Sequence, residues 1–202
     1  MRRRDACDSA PTRGKEDARH QSDKAARFAA LHVKGAPLVL YNAWDAGSAP
    51  ALLDTGAQAI APSSWAVAEA QGDRDGEAIP VGLVEQIVAR IAGTIEVPVT
   101  VDFEGGYSDD DTVLAANVSR LLDLGVVGLN CEDRVVQGVG RDAVARQAHR
   151  IAARRDGAAK QGVHLFINAL RHRLSARLWT ARRRTPALGR PASSCLVCRT
   201  RP

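Results

Sequence analysis

Five short runs of β-branched and apolar residues punctuate the chain: APLVLYN (36–42), QAIAPSS (58–64), VPVTVDF (97–103), VVGLNCE (126–132) and VHLFINA (163–169). Each is continuous rather than alternating, as expected of strands covered on both faces in a parallel sheet. Between them, apolar positions recur at helical spacing, first Val81, Val84, Ile87, Val88, Ile91 and Ile95, then Val113, Ala116, Leu121 and Leu124. Runs of strand alternating with runs of helix predict β/α units around a parallel sheet. Asp109, Asp110 and Asp111 precede the second helical run, where a capping carboxylate and first-turn negative charge are favourable; a solvated helix start accounts for them.

The polar and chemically unusual residues fall at the C-terminal ends of these strands. A (β/α)₈ barrel builds its active site at that end, from several strands at once. A doubly wound sheet places ligands similarly but marks its first turn with G-x-G-x-x-G, and none follows the first strand here. The fold class expected is therefore α/β, a TIM-type (β/α)₈ barrel. The chain supplies about five of its units, between irregular N- and C-terminal tails.

Asp102 and Glu104 end the third strand and Glu132 ends the fourth. Alternate residues of a strand share a face, so both acids of D-x-E are expected to point into the barrel mouth with Glu132 alongside. Three carboxylates in one place repel one another without a cation, and hard oxygen donors suit Mg²⁺ or Mn²⁺ better than zinc. Asp102, Glu104 and Glu132 are therefore the expected metal ligands.

Charge changes the picture of the two ends. Of the net +5 over 202 residues, residues 1–20 contribute +2, residues 21–169 contribute −6 and residues 170–202 contribute +9. The expected organisation is a disordered basic extension over 1–21, a partial barrel carrying the chemistry over 22–169, and a disordered Arg/Pro-rich tail over 170–202. No apolar run reaches the roughly 18–20 residues that span a bilayer, and no apolar core follows the Arg-rich start. No membrane association is expected, and the expected compartment is the cytoplasm. Cys7, Cys131, Cys195 and Cys198 show no framework spacing and read as reduced thiols, Cys131 as a core residue.

The stretches PLVLYNAWDAGSA (37–49), SSWAVAEAQGDRDGEAIP (63–80), VPVTVDFEGGYS (97–108) and GVVGLNCEDRVVQG (125–138) resemble the isocitrate lyase/phosphoenolpyruvate mutase superfamily, and most of all its phosphoenolpyruvate phosphomutase-like subgroup. The resemblance runs from about Ser22 to Ala169. It implies an Mg²⁺-dependent lyase or isomerase that makes or breaks a C–C or C–P bond of a small 2-oxo or 2-hydroxy carboxylic acid through an enolpyruvate-like intermediate. By the same resemblance, Asp102 and Glu104 match the metal-site carboxylates, Asp102 also facing the substrate, and Glu132 matches an acid acting on the metal directly or through water. Ser63 and Ser64 fall where backbone N–H groups meet the substrate carboxylate, and Asp75 where the mutases place a reactive aspartate. The full-length family implies a homo-oligomer.

The pattern departs from the family in several places. The Lys-Lys/Arg-Cys-Gly-His loop of isocitrate lyases is replaced by EDRVVQGVGRD (132–142), which disfavours isocitrate cleavage. Asp73 and Pro62 replace a usual Tyr and Thr, and Pro62 removes a backbone donor beside the substrate position. After LFINA the usual Arg-Thr-Asp is missing and the chain reads LRHRLSARLWTARRRTPALGRPASSCLVCRTRP. This abrupt change is read as truncation or a shifted reading frame, which would leave the first and fifth strands with unpaired edges. A second reading follows, a catalytically dead fragment whose nine tail arginines bind polyanions through charge alone. No nucleic-acid motif accompanies them, so no specific nucleic-acid partner is expected.

Overall fold

The computed structural model describes residues 13–133, 140–170 and 196–197. The elements in chain order are α1 (Arg13–Ala30), β1 (Val39–Ala43), α2 (Ser48–Leu53), β2 (Ile60–Pro62), α3 (Ser64–Gln71), α4 (Val81–Ala92), β3 (Thr100–Asp102), α5 (Asp111–Asp123), β4 (Gly128–Glu132), α6 (Val144–Ala159), β5 (Phe166–Leu170) and β6 (Leu196–Val197). This is an α/β fold with parallel strands. β1 pairs in parallel with β2, and β3, β4 and β5 form a second parallel set in that order. A bridge between Ile60 and Val99 joins the two sets, with the Ile60 N–H donating to the Pro98 carbonyl at 3.0 Å. The five strands therefore follow one another side by side in chain order, and their C-terminal ends lie together.

Each expected strand run overlaps an observed strand. The edge of β1 is not bare as expected, because β6 pairs antiparallel with Val39 and Leu40. The helix expected from Val81 is α4, which buries Val84, Val88 and Ile91. Asp110 caps α5 by accepting from the N–H groups of Thr112 at 2.8 Å and Val113 at 2.9 Å. Asp109 and Asp111 are more than a solvated helix start: Arg146 donates to Asp111 at 2.8 Å, and Arg150 approaches Asp109 at 3.4 Å.

Helix α1 starts at Arg13, so residues 13–21 are helical rather than part of an irregular extension. Its polar sequence hides two anchors. The Gln21 amide donates to the carbonyls of Leu122 and Val126, and Phe28 is fully buried with its ring edge-on to Phe166 at 5.2 Å. Phe166 and Gly128 begin their strands, so Phe28 closes the end of the sheet opposite the acidic residues.

Helices α5 and α6 pack closely because Gly157 has no side chain. A Cβ there would lie 2.7 Å from the Ala115 carbonyl oxygen, which is backbone and cannot swing aside. Gly157→Ala gains about 1 kcal/mol of helix propensity but incurs an overpacking cost of about 1–3 kcal/mol. A net loss of roughly 1 kcal/mol is expected, read as a lower urea midpoint at unchanged slope; a midpoint equal to or above the parent would show that the two helices separate freely.

Candidate active site

β2 ends at Pro62, and Ser63 then caps α3, its hydroxyl accepting from the Ala66 N–H at 3.5 Å. Ser64, the first residue of α3, donates its hydroxyl to Asp102 Oδ2 at 2.9 Å across to the end of β3. Asp102 Oδ1 is sealed from solvent and has no hydrogen-bond partner. Burial pushes the Asp102 carboxyl up to about 6, and the negative charges of Glu132 and Asp75 add to the rise against the pull of the Ser64 hydroxyl and the nearby Glu104 N–H.

The alternation expected to hold Asp102 and Glu104 on one face stops at Asp102, where β3 ends. Glu104 takes a left-handed backbone with φ 46°. Its buried carboxylate nevertheless lines the same pocket, with Oε1 accepting from the Glu77 N–H at 3.0 Å. Burial pushes it up to about 8, opposed by that hydrogen bond and reinforced by Asp75, Glu77 and Asp102. The Glu132 N–H donates to the Glu104 carbonyl at 2.9 Å, which brings the end of β4 beside this turn.

Sequence reasoning passed over Glu77 and Tyr107. Glu77 has φ 60° and Tyr107 φ 62°, and with Glu104 they are the non-glycine residues with positive φ among those described. They touch in series: Glu77 N–H to Glu104 Oε1, then Tyr107 N–H to Glu77 Oε1 at 2.9 Å. Burial raises the Glu77 carboxyl, and its Oε2 is buried without a partner. Burial likewise pushes the Tyr107 hydroxyl up, the Glu104 charge adding to it. Left-handed Glu and Tyr cost of order 1–3 kcal/mol each and persist only where their surroundings over-determine them. The acidic GDRDGE stretch hinted at Glu77, but side-chain propensity carries no signal for the backbone state that gives it this role.

Pro62, Ser63, Ser64, Asp102, Glu104 and Tyr107 line one pocket together with Arg74, a cation that sequence reasoning also passed over. The pocket is tight, with room for about one water. Asp75 is exposed and acts on both buried acids through its charge. Trp65 is also exposed and lies outside the lining. The Ser63 N–H is engaged by the Ala43 carbonyl at 3.4 Å, which takes it from the donors expected to meet a substrate carboxylate. Cys131 is a buried free thiol, as expected.

Among the described residues, no three His, Cys, Asp or Glu side chains are assembled to hold a metal ion. The three-ligand convergence expected of Asp102, Glu104 and Glu132 is thus not preformed, because Glu104 turns toward the Glu77 backbone. The donor set still fits a hard cation. Asp102 keeps an unpartnered oxygen within the field of neighbouring acids, and Mg²⁺ commonly takes one or two carboxylates while keeping several waters.

With the geometry in view, comparison with known proteins defines the class. Residues 28–187 match the phosphoenolpyruvate phosphomutase family, and the chain belongs to it. That match continues past Ala169, where the sequence resemblance was read to stop, into residues that are mostly outside those described. The chain is 34% identical over 142 residues to an uncharacterized protein of Mycobacterium tuberculosis in strains CDC 1551 and H37Rv, covering 70% of this chain and 51% of theirs. It thus spans about half the length of the curated relatives it matches. A candidate phosphonomutase of Burkholderia cenocepacia J2315 superposes with TM-score 0.74 at 38% identity, over 78% of this chain and 63% of that one. A phosphonopyruvate hydrolase crystallised with oxalate and Mg²⁺ shares the fold, with TM-score 0.63 at 16% identity, over 74% and 52% of the two chains. The family consists of lyases and mutases, and among the described residues no helix is long and apolar enough to cross a membrane.

The raised carboxyls fix a sign for the pH response. Folded Asp102 and Glu104 hold protons that the unfolded chain has released, so their contribution is fully present below the ordinary carboxylate range. It is lost as pH rises through about 6 and then about 8. Metal-free protein is expected to lose stability to urea from about pH 4 to pH 8. Asp102→Asn is expected to remove its share of the decline between about pH 4 and 6, and Glu104→Gln its share across the whole span to about pH 8; curves that superimpose on the parent would place both carboxyls in ordinary surroundings.

Proposed function

We propose that this chain carries the active site of a divalent-metal-dependent lyase or phosphomutase acting on a small 2-oxo or 2-hydroxy carboxylic acid in the cytoplasm. The carrying observation is Asp102 Oδ1, a buried carboxylate oxygen without a partner at the C-terminal end of a parallel strand. The catalytic unit is read as residues 22–169, a partial (β/α)₈ barrel of a family whose full-length members are expected to be homo-oligomers.

Asp102, with Glu104 and Glu132 directly or through water, would hold Mg²⁺ or Mn²⁺. Bound there, the ion would supply positive charge against an enolate oxygen, a contribution worth several kcal/mol in related chemistry. The chain's own groups do the rest. The Ser64 hydroxyl fixes the orientation of Asp102. Helix α3 begins at the pocket wall, so the positive end of its dipole favours a substrate carboxylate. The Arg74 guanidinium in the lining offers a second point of attraction for that carboxylate. Asp75, exposed at the rim, serves as nucleophile or as an orienting acceptor for the group that leaves. The crystallised phosphonopyruvate hydrolase, which binds oxalate with Mg²⁺, supports this ligand chemistry by analogy of fold.

Purified chain with Mg²⁺ is expected to release pyruvate or phosphoenolpyruvate from at least one of phosphonopyruvate, oxaloacetate and 2-methylisocitrate, and to stop on adding EDTA. Asp102→Asn is expected to lower kcat/KM at least about a hundredfold, the scale of losing several kcal/mol of charge stabilisation. No turnover on any of the three, or turnover indifferent to EDTA, would remove the proposal. The competing reading, a dead fragment with a polyanion-binding tail, predicts DNA retention that fades with salt and disappears on deleting residues 170–202.

A further inference from the structure

Helix α6 buries two arginines, Arg150 at 1% exposure and Arg154 at 0%. A guanidinium does not shed its proton, and burying one costs several kcal/mol unless it is well paired. These two also share a helix face, where like charges four residues apart repel. Their pairing is incomplete: Arg150 Nε, Arg154 Nε and Arg154 Nη1 have no hydrogen-bond partner. Arg150 does approach Asp109 Oδ1 at 3.4 Å and Asp142 Oδ2 at 3.5 Å. Apolar side chains of similar volume commonly match or exceed the stability of buried ions, so packing alone does not account for the pair.

What the arginines share is one acceptor. Arg150 Nη2 and Arg154 Nη2 both donate to the Gly105 carbonyl, the latter at 2.7 Å. Gly105 is the peptide between Glu104, at φ 46°, and Gly106, at φ 97°, with Tyr107 next at φ 62°. The following carbonyl, that of Gly106, accepts from Asn117 Nδ2 at 2.9 Å, and Arg120 holds Asn117 Oδ1 at 2.6 Å. A Cβ on Gly106 would sit 2.2 Å from Leu114 Cδ1 and 3.1 Å from Arg154 Nη2, so the turn is pressed against the very groups that grip it. The rear of the turn is thereby fixed by α5 and α6, while its front carries the Glu104–Glu77–Tyr107 chain of hydrogen bonds into the pocket.

We propose that Arg150 and Arg154 are positioning residues: by converging on the Gly105 carbonyl they hold the left-handed turn that sets Glu104 and Tyr107 in the pocket, and they do this in place of stabilising the fold as a whole. The inference rests on the pocket being the functional site proposed above.

Amide exchange followed by mass spectrometry on the full chain tests it, with Mn²⁺ affinity measured by calorimetry on the same samples. Arg150→Met and Arg154→Met are expected to speed exchange of the Tyr107 and Glu77 amides at least tenfold while amides of α4 and β4 keep their protection. Mn²⁺ affinity is expected to fall at least tenfold in parallel. Arg150→Lys and Arg154→Lys keep the charge but lose the fork, and carry the same comparison should the methionine variants fail to fold. Unchanged exchange over residues 103–108, acceleration spread equally over α4 and β4, or a local change with undiminished Mn²⁺ affinity would each overturn the inference. A parent chain that binds no Mn²⁺ instead overturns the functional reading, and local exchange then decides whether the arginines hold the turn.

Discussion

A carboxylate oxygen that is shut off from water and given nothing to accept from is a liability in any fold, and here it sits at the end of β3 among other acids. The rest of the arrangement makes sense around that cost. Parallel strands bring the ends of β2, β3 and β4 to one side, and short connections there deliver Ser64, Asp102 and Glu132 without long loops. Phe28 and Phe166 fill the opposite end with apolar volume, so negative charge gathers where the strands finish. The charge is then partly offset from behind, since Arg150 draws the Glu77 carboxyl down against the larger effect of burial.

The strands were plain in the sequence because burial on both faces demands uninterrupted apolar runs, and QAIAPSS, VPVTVDF and VVGLNCE supply them. Helix α4 was plain for the corresponding reason, its buried face being valine and isoleucine at helical spacing. Helix α6 was hidden because its buried face is Arg150, Arg154, Gly157 and Ala158, a set that no hydropathy period reveals. The start of α1 was hidden too, since long-range anchors such as Gln21 and Phe28 organise an otherwise charged segment.

The site divides in the same way. Ser64 came from the family resemblance alone and its hydroxyl bond to Asp102 was not foreseen, whereas the place of Asp102 was legible because D-x-E at a strand end is a local pattern with a physical reading. The orientation of Glu104 was not, since alternation holds only while the strand continues and β3 stops two residues earlier. Glu77 and Tyr107 depend on positive φ, a state their own chemistry does not announce: Tyr107 follows a turn anchored on α5 and α6, and Glu77 meets that turn through its hydrogen bonds to Glu104 and Tyr107. Family membership explains why these local patterns recur in order, but the chain spans only about half of its curated relatives, so the activity has to be established on this chain itself.

Whether the buried acids exist to receive a cation is answered most directly by diffraction. Crystals of the full chain soaked in Mn²⁺ and measured at the manganese absorption edge are predicted to show an anomalous peak within bonding distance of Asp102 Oδ1, with Glu104 and Glu132 facing it directly or through water. A map without a peak at Asp102, under conditions where manganese is bound elsewhere, would contradict the account.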